Sequence, residues 1–196
     1  MKITPLAHLV TIGAVLLAGA IDLSAQPTSA QPPPAQLSDY PEKGMVPKKR
    51  ILHIGIVVRD IEKARDHWMK LLGLEKTPGI TIADGDPKNP TEYHGQPSAA
   101  QAKLAFITLD NLQIELIEPK GDAPSDWREF LERKGEGVHH VAFAVKGLGE
   151  GYLENDAKAG YPTVQHGGWE TGEYGYMDTA AALGVTLELI ENYNRP

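Results

Sequence analysis

The segment "RILHIGIVVRD" (50–60) returns, altered, as "EGVHHVAFAVKG" (136–147), and "NLQIELIEP" (111–119) returns as "GVTLELIEN" (184–192). An internal repeat constrains a chain more than any single motif, because each copy must fold alike and bury its apolar face against the other. The alignment places His140 on His53 and Glu188 on Glu115. Any account of the fold has to explain why an imidazole and a carboxylate recur at matched places.

The residues between the repeats fill in the two modules. Ile51–Val58 reads as a strand from its β-branched content. Asp60 can cap a following helix, "IEKARDHWMKLLG", in which Ile61, Ala64, Trp68, Leu71 and Leu72 recur at helical spacing and Gly73 closes the last turn. A strand is predicted near Lys76–Ile82, then a long polar loop, "ADGDPKNPTEYHGQPSAA". Strands Lys103–Leu109 and Leu112–Glu118 meet at Asp110-Asn111, a turn pair. "APSDWREFLERKG" reads as a helix between the modules. In the second copy "YLENDAKAG" is helical and ends at Gly160. Modules of about 50–118 and 137–192 therefore each run strand, helix, then three strands, an α+β arrangement of two tandem βαβββ units.

Strand alternation sorts the polar residues. His53 shares a face with Gly55 and Val57, whereas Leu52, Ile54, Ile56 and Val58 take the other. His140 lies with Ala142 and Ala144, and His139 is expected on the opposite face with Val141, Phe143 and Val145. Glu115 lies with Gln113 and Ile117, and Glu188 with Thr186 and Ile190. Each module thus offers one histidine on its first strand and one glutamate on its last, with small neighbours that leave room for a cleft. Two buried carboxylates repel each other, and a divalent cation removes that penalty. Two imidazoles and two carboxylates suit Zn²⁺, Ni²⁺, Co²⁺, Mn²⁺ or Fe²⁺. Trp68 and Trp127 are expected in the core, and His94 and His166 in loops at the rim.

Composition narrows the function classes. The 196-residue chain is 41% hydrophobic, has a formal net charge of −7 and contains no cysteine. The charge and the lack of a basic stripe argue against a nucleic-acid partner. The absence of cysteine removes disulfides, thiolate zinc sites and thiol nucleophiles. Residues 1–25 combine Lys2, the apolar run Leu9–Ile21 and small residues, the layout of a secretory signal cleaved after Ala20 or Ala25. The alternative is an uncleaved membrane anchor, for which the run is short. Residues 26–49 are rich in proline and read as an extended linker. The folded domain is expected over 50–196, in a secreted or periplasmic protein with no stable membrane insertion once the signal is removed.

The pattern "HIGIVV…IELIEP…GVHHVAFAV…LELIE" resembles the vicinal oxygen chelate superfamily, which includes glyoxalase I, methylmalonyl-CoA epimerase, extradiol dioxygenases and bleomycin-resistance proteins. The likeness covers residues 50–192 and is strongest to the epimerase branch, in "KLAFITLDNLQIELIEP" and "GEGVHHVAFAV". It implies one curved sheet around a metal held by His53, Glu115, His140 and Glu188. It also implies proton transfer alpha to a carbonyl, on a small carbonyl or carboxylate substrate. Glu188 or Glu115 then serves as the base. The chain departs from the epimerases where they carry "E-x-x-x-Q-x-V" before the third strand. Here "QPSAAQAKL" has no glutamate, and Glu92 is the nearest upstream acid that can replace it. A homodimer is compatible with the family. Two other readings stand beside this one: an exported small-molecule binding protein using the same cleft, and a ring-cleaving dioxygenase.

Overall fold

The computed structural model describes residues 46, 49–151, 153 and 157–193. The predicted signal (1–25) and most of the linker (26–49) lie outside the described residues. Ten strands form one mixed sheet in the order β2-β5-β6-β1-β7-β10-β9-β8-β3-β4. They are β1 (Ile51–Val57), β2 (Ile80–Ala83), β3 (Glu92–Tyr93), β4 (Gln96–Pro97), β5 (Gln101–Thr108), β6 (Gln113–Lys120), β7 (Gly137–Ala144), β8 (Thr163–Trp169), β9 (Gly172–Met177) and β10 (Thr186–Asn192).

The duplication is explicit in this order. β1 pairs in parallel with β6, as β7 does with β10, and the two modules join where β1 meets β7 antiparallel. Helix α1 (Ile61–Leu72) starts as predicted: the Asp60 carboxylate accepts from the Lys63 N–H, and Gly73 ends the helix at φ 64°. Glu118 satisfies a further free N–H, that of Ile61, at 2.8 Å. Ile61, Ala64 and Trp68 of α1 pack on the outer face of β5 and β6 with Ala105, Ile107, Ile114 and Leu116, whereas Leu71 and Leu72 of the expected stripe are exposed. Helix α2 (Asp126–Lys134) links the modules, with Ser125 accepting from Arg128 N at its start. Trp127 is buried against Val57, Ile117 and Tyr176. A short helix α3 (Ala180–Leu183) stands between β9 and β10.

Two segments differ from the sequence expectation. The strand predicted at 76–82 begins only at Ile80, because Pro78 offers no N–H for a ladder and Gly79 packs nothing. The loop 83–100 contains the hairpin β3–β4, turned at His94 and Gly95 with φ values of 49° and 69°. β3 pairs with β8, so a segment of the first module extends the edge of the second. Of the helix expected at 152–160, only residues 153 and 157–160 are described, and Gly160 has φ 87°.

Candidate metal centre

The four residues singled out by the repeat sit on the four central strands, one each on β6, β1, β7 and β10. Register explains why they converge. Gly55 lies between Glu115 and His140, and Ala142 lies between His53 and Glu188. Each row is therefore carboxylate, small residue, imidazole, and the rows are related by the duplication. The small residue matters: a Cβ built on Gly55 falls 2.1 Å from His140 Cε1, inside its ring. Only glycine lets that imidazole lie across the strand.

The donor atoms gather at one point. His53 Nε2 lies 2.7 Å from Glu188 Oε2 and 3.3 Å from Glu115 Oε2. His140 Nε2 is 3.3 Å from each of the same two oxygens. The two Nε2 atoms are 3.0 Å apart. One ligand atom from each of the four residues falls within 4.8 Å of every other, and all four residues are buried. Donors sharing a cation at about 2.1 Å are separated by roughly 3.0–3.4 Å in octahedral or tetrahedral geometry, so the set fits a divalent ion. Orientation agrees, because Glu188 Oε2 is buried and has no aligned hydrogen-bond donor despite its close neighbours. The donor atoms of the four side chains converge on a shared centre.

Electrostatics within the cluster follow from its charge. Burial works to lower the pKa of His53, but the Glu188 and Glu115 carboxylates outweigh it and raise the value from 6.5 to about 10. Burial works to raise that of Glu115, yet hydrogen bonds from His140 and His53 hold it down near 2. A positive charge on this spot is thus strongly favoured, whether supplied by a proton or by a cation.

Behind the four lies a second layer that alternation alone does not reveal. The β1–β7 register shifts twice, between Ile51 and His53 and between Gly55 and Ile56. Leu52 is the extra residue on β1 and His139 the extra residue on β7, each one place before its module's histidine. Bulges re-aim side chains. Leu52, expected on the outer face, lines the cleft. His139 turns beside His140, with the two Nδ1 atoms 3.0 Å apart. Its other nitrogen is 3.0 Å from Asp126 Oδ2, although the two are poorly aligned for a hydrogen bond. With His140 Nε2 facing the centre, its Nδ1–H can donate to His139 Nδ1, and the His139 Nε2–H then faces Asp126. Metal-binding histidines are commonly oriented through their second nitrogen in this way. The Tyr176 ring packs on both histidines, and its hydroxyl accepts from Trp127 Nε1 at 2.9 Å.

The cluster opens into a cavity of about 530 Å³, with His53, Glu115 and Glu188 on its wall and His140 wholly buried behind them. Phe106, Trp127, Trp169, Tyr174 and Tyr176 line it as well. Glu92 does not: it is exposed on β3, away from the four. His94 is on the hairpin turn. His166 is on β8 rather than in a loop, paired with Glu173 at 3.0 Å, and does not line the cavity.

A curved sheet built from two βαβββ modules, with a His/Glu/His/Glu cluster at its centre, defines a recognisable class of protein. Residues 52–181 match the Glyoxalase/Bleomycin resistance protein/Dioxygenase superfamily, and the chain belongs to it. Among its relatives, the mitochondrial methylmalonyl-CoA epimerase of Bos taurus is 30% identical over 145 residues, covering 73% of this chain and 74% of the relative. The uncharacterized protein YqjC of Bacillus subtilis is 34% identical over 101 residues, 52% of this chain and 61% of that one. The chain thus spans less than two thirds of that relative. Two solved structures share the fold: a hypothetical protein from Bacillus halodurans C-125 (TM-score 0.51, 22% identity, 76% of this chain and 99% of that one), and a methylmalonyl-CoA epimerase in complex with methylmalonyl-CoA and NH4+ (TM-score 0.51, 20% identity, 74% and 95%).

Proposed function

We propose that the protein is a divalent-metal-dependent enzyme that moves a proton on the carbon next to a carbonyl, as an epimerase or isomerase. The observation that carries this reading is the convergence of four buried donor atoms within 4.8 Å of one another at the wall of a cavity. The epimerase relatives support the reaction class. His53, Glu115, His140 and Glu188 would hold the ion, which supplies a Lewis acid that draws charge onto a bound carbonyl oxygen.

The chain's own groups divide the remaining work. Glu115, with its Oε2 3.3 Å from both histidine Nε2 atoms, would anchor the ion beside them. Glu188, which lines the cavity, is the proton carrier of this reading, and its carboxylate would leave the ion to accept the proton. The C–H bond breaks, the proton passes to the Glu188 carboxylate, and the electron pair moves toward the carbonyl oxygen. Return of the proton from Glu188 to the neighbouring carbon gives isomerisation; its loss to solvent, with delivery of a solvent-derived proton to the opposite face, gives epimerisation. Glu92 stands outside the cavity and has no part in this scheme.

The test is a deuterium-exchange screen of the metal-loaded protein over 2-oxo acids, methylmalonyl-type thioesters and keto sugars. Incorporation of solvent deuterium at the alpha carbon is expected with at least one class, and its loss by about 100-fold or more in E188Q. No exchange with any class, or full exchange by E188Q, contradicts the reading.

A further inference from the structure

We infer that the substrate is a small, phosphate-free compound with a flat aromatic group beside its chelating oxygens. The inference deepens the proposed function and rests on the cluster's binding a cation. Three features of the cavity carry it.

The first is charge. No lysine or arginine is found among the described residues that line the cavity, while Asp84, Glu115 and Glu188 all do. Phosphate groups are held by guanidinium, ammonium or backbone N–H clusters. A nucleotide-bearing thioester, such as the one bound by the epimerase relative, would bring several phosphates to a wall whose fixed charges are mainly negative. One cation at the cluster offsets the two glutamates and leaves no surplus for them.

The second is the chemistry of the aromatic wall. Trp127 Nε1 is already given to the Tyr176 hydroxyl, and the Tyr174 hydroxyl already accepts from Gln165 Nε2, each at 2.9 Å. These bonds and the ring contacts among Trp127, Tyr174 and Tyr176 fix the three as one packed aromatic wall. An aromatic wall of this kind suits packing against another ring.

The third is placement. Phe106 comes from the first module and Trp169 from the second, so one aromatic residue stands on each side of the cluster. Phe106 is 40% exposed although its ring centroid is only 6.3 Å from that of His53. A large apolar side chain left open beside a metal-type cluster, with a partner on the opposite wall, leaves a slot for a flat group. A cavity of about 530 Å³ holds a ring and a short oxygenated chain.

The experiment is calorimetric titration of the full chain, after direct measurement of one loaded divalent ion per chain. Four probes are used: phenylpyruvate, pyruvate, methylmalonyl-CoA and the methylmalonyl thioester of N-acetylcysteamine. Phenylpyruvate is expected to bind at least about tenfold more tightly than pyruvate, because only it fills the slot. The variants F106A and W169A, on different strands and neither in the closed core, are each expected to narrow that ratio at least about threefold. The CoA thioester is expected to bind within about threefold of its truncated counterpart, since the nucleotide finds no partner. Equal affinity for the two 2-oxo acids overturns the inference. So does an advantage of about tenfold or more for the CoA thioester, or no binding of any probe by the loaded protein. Failure of the underlying cation reading shows separately and earlier, as a chain that takes up no ion, and it would overturn both.

Discussion

His53 lies between two buried carboxylates. Its pKa rises from 6.5 to about 10 because burial is outweighed by Glu188 and Glu115, and that of Glu115 falls from 4.5 to about 2. Each shift is a contribution to stability in the chelator-treated protein. The His53 contribution is complete below pH 6.5 and is lost as pH rises toward 10, when the folded state gives up its proton. The Glu115 contribution is complete above pH 4.5 and is lost as pH falls toward 2. Both act together only between about pH 4.5 and 6.5. Denaturant midpoints of the chelated protein should therefore peak in that window and decline on the alkaline side, and H53Q should remove the alkaline decline. A midpoint that rises steadily from pH 6.5 to 10 would show that His53 is not held by the two carboxylates. Saturating metal should reverse the alkaline trend, since the ion binds a deprotonated imidazole.

At the scale of strands, the site depends on how closely β1 and β7 approach. The Gly55 position leaves no space for a methyl group, which would meet His140 Cε1 at 2.1 Å. The ring belongs to a packed, fully buried residue and cannot simply swing aside. G55A is predicted to retain the strands, because Gly55 has an ordinary extended backbone, but to push His140 out of the cluster. Metal affinity should fall at least about tenfold with far-UV circular dichroism little changed. Unchanged affinity would mean that His140 is not a ligand. The inserted hairpin matters at the same scale. It brings Thr91 to the cavity wall, where its Oγ1 lies over Gly167 beside the Tyr174 hydroxyl, so part of the second module's wall is built from the first module's loop.

The molecule as a whole shows which features a sequence makes legible. The two modules and the equivalence of His53 with His140 and of Glu115 with Glu188 could be read because long strands alternate and because the pattern occurs twice. The same repeat pointed to the residues the fold brings together. The bulges at Leu52 and His139 could not be read, because an extra residue in one strand exists only relative to its partner. Simple alternation therefore put both side chains on the outer face, whereas Leu52 reaches the cleft and His139 backs His140. The hairpin β3–β4 escaped because strands of two residues carry no period; the His94-Gly95 pair within "EYHGQ" was its one available signal. Glu92 stands near a family motif in sequence, but its strand is paired between β8 and β4, where Glu92 is exposed and does not line the cavity. The roles of Trp127, Gln165 and Tyr174 depend on contacts between distant segments and had no local signature.

Duplication has produced a site that neither module can complete alone, and this has one direct consequence. Titration of the purified, chelator-treated protein with Co²⁺, followed by visible absorption, should reach its endpoint at one ion per chain. H53A and H140A, one from each module, should each abolish the high-affinity endpoint. An endpoint that survives in either variant, or a wild-type protein that shows none, would contradict a single cation shared by the two halves.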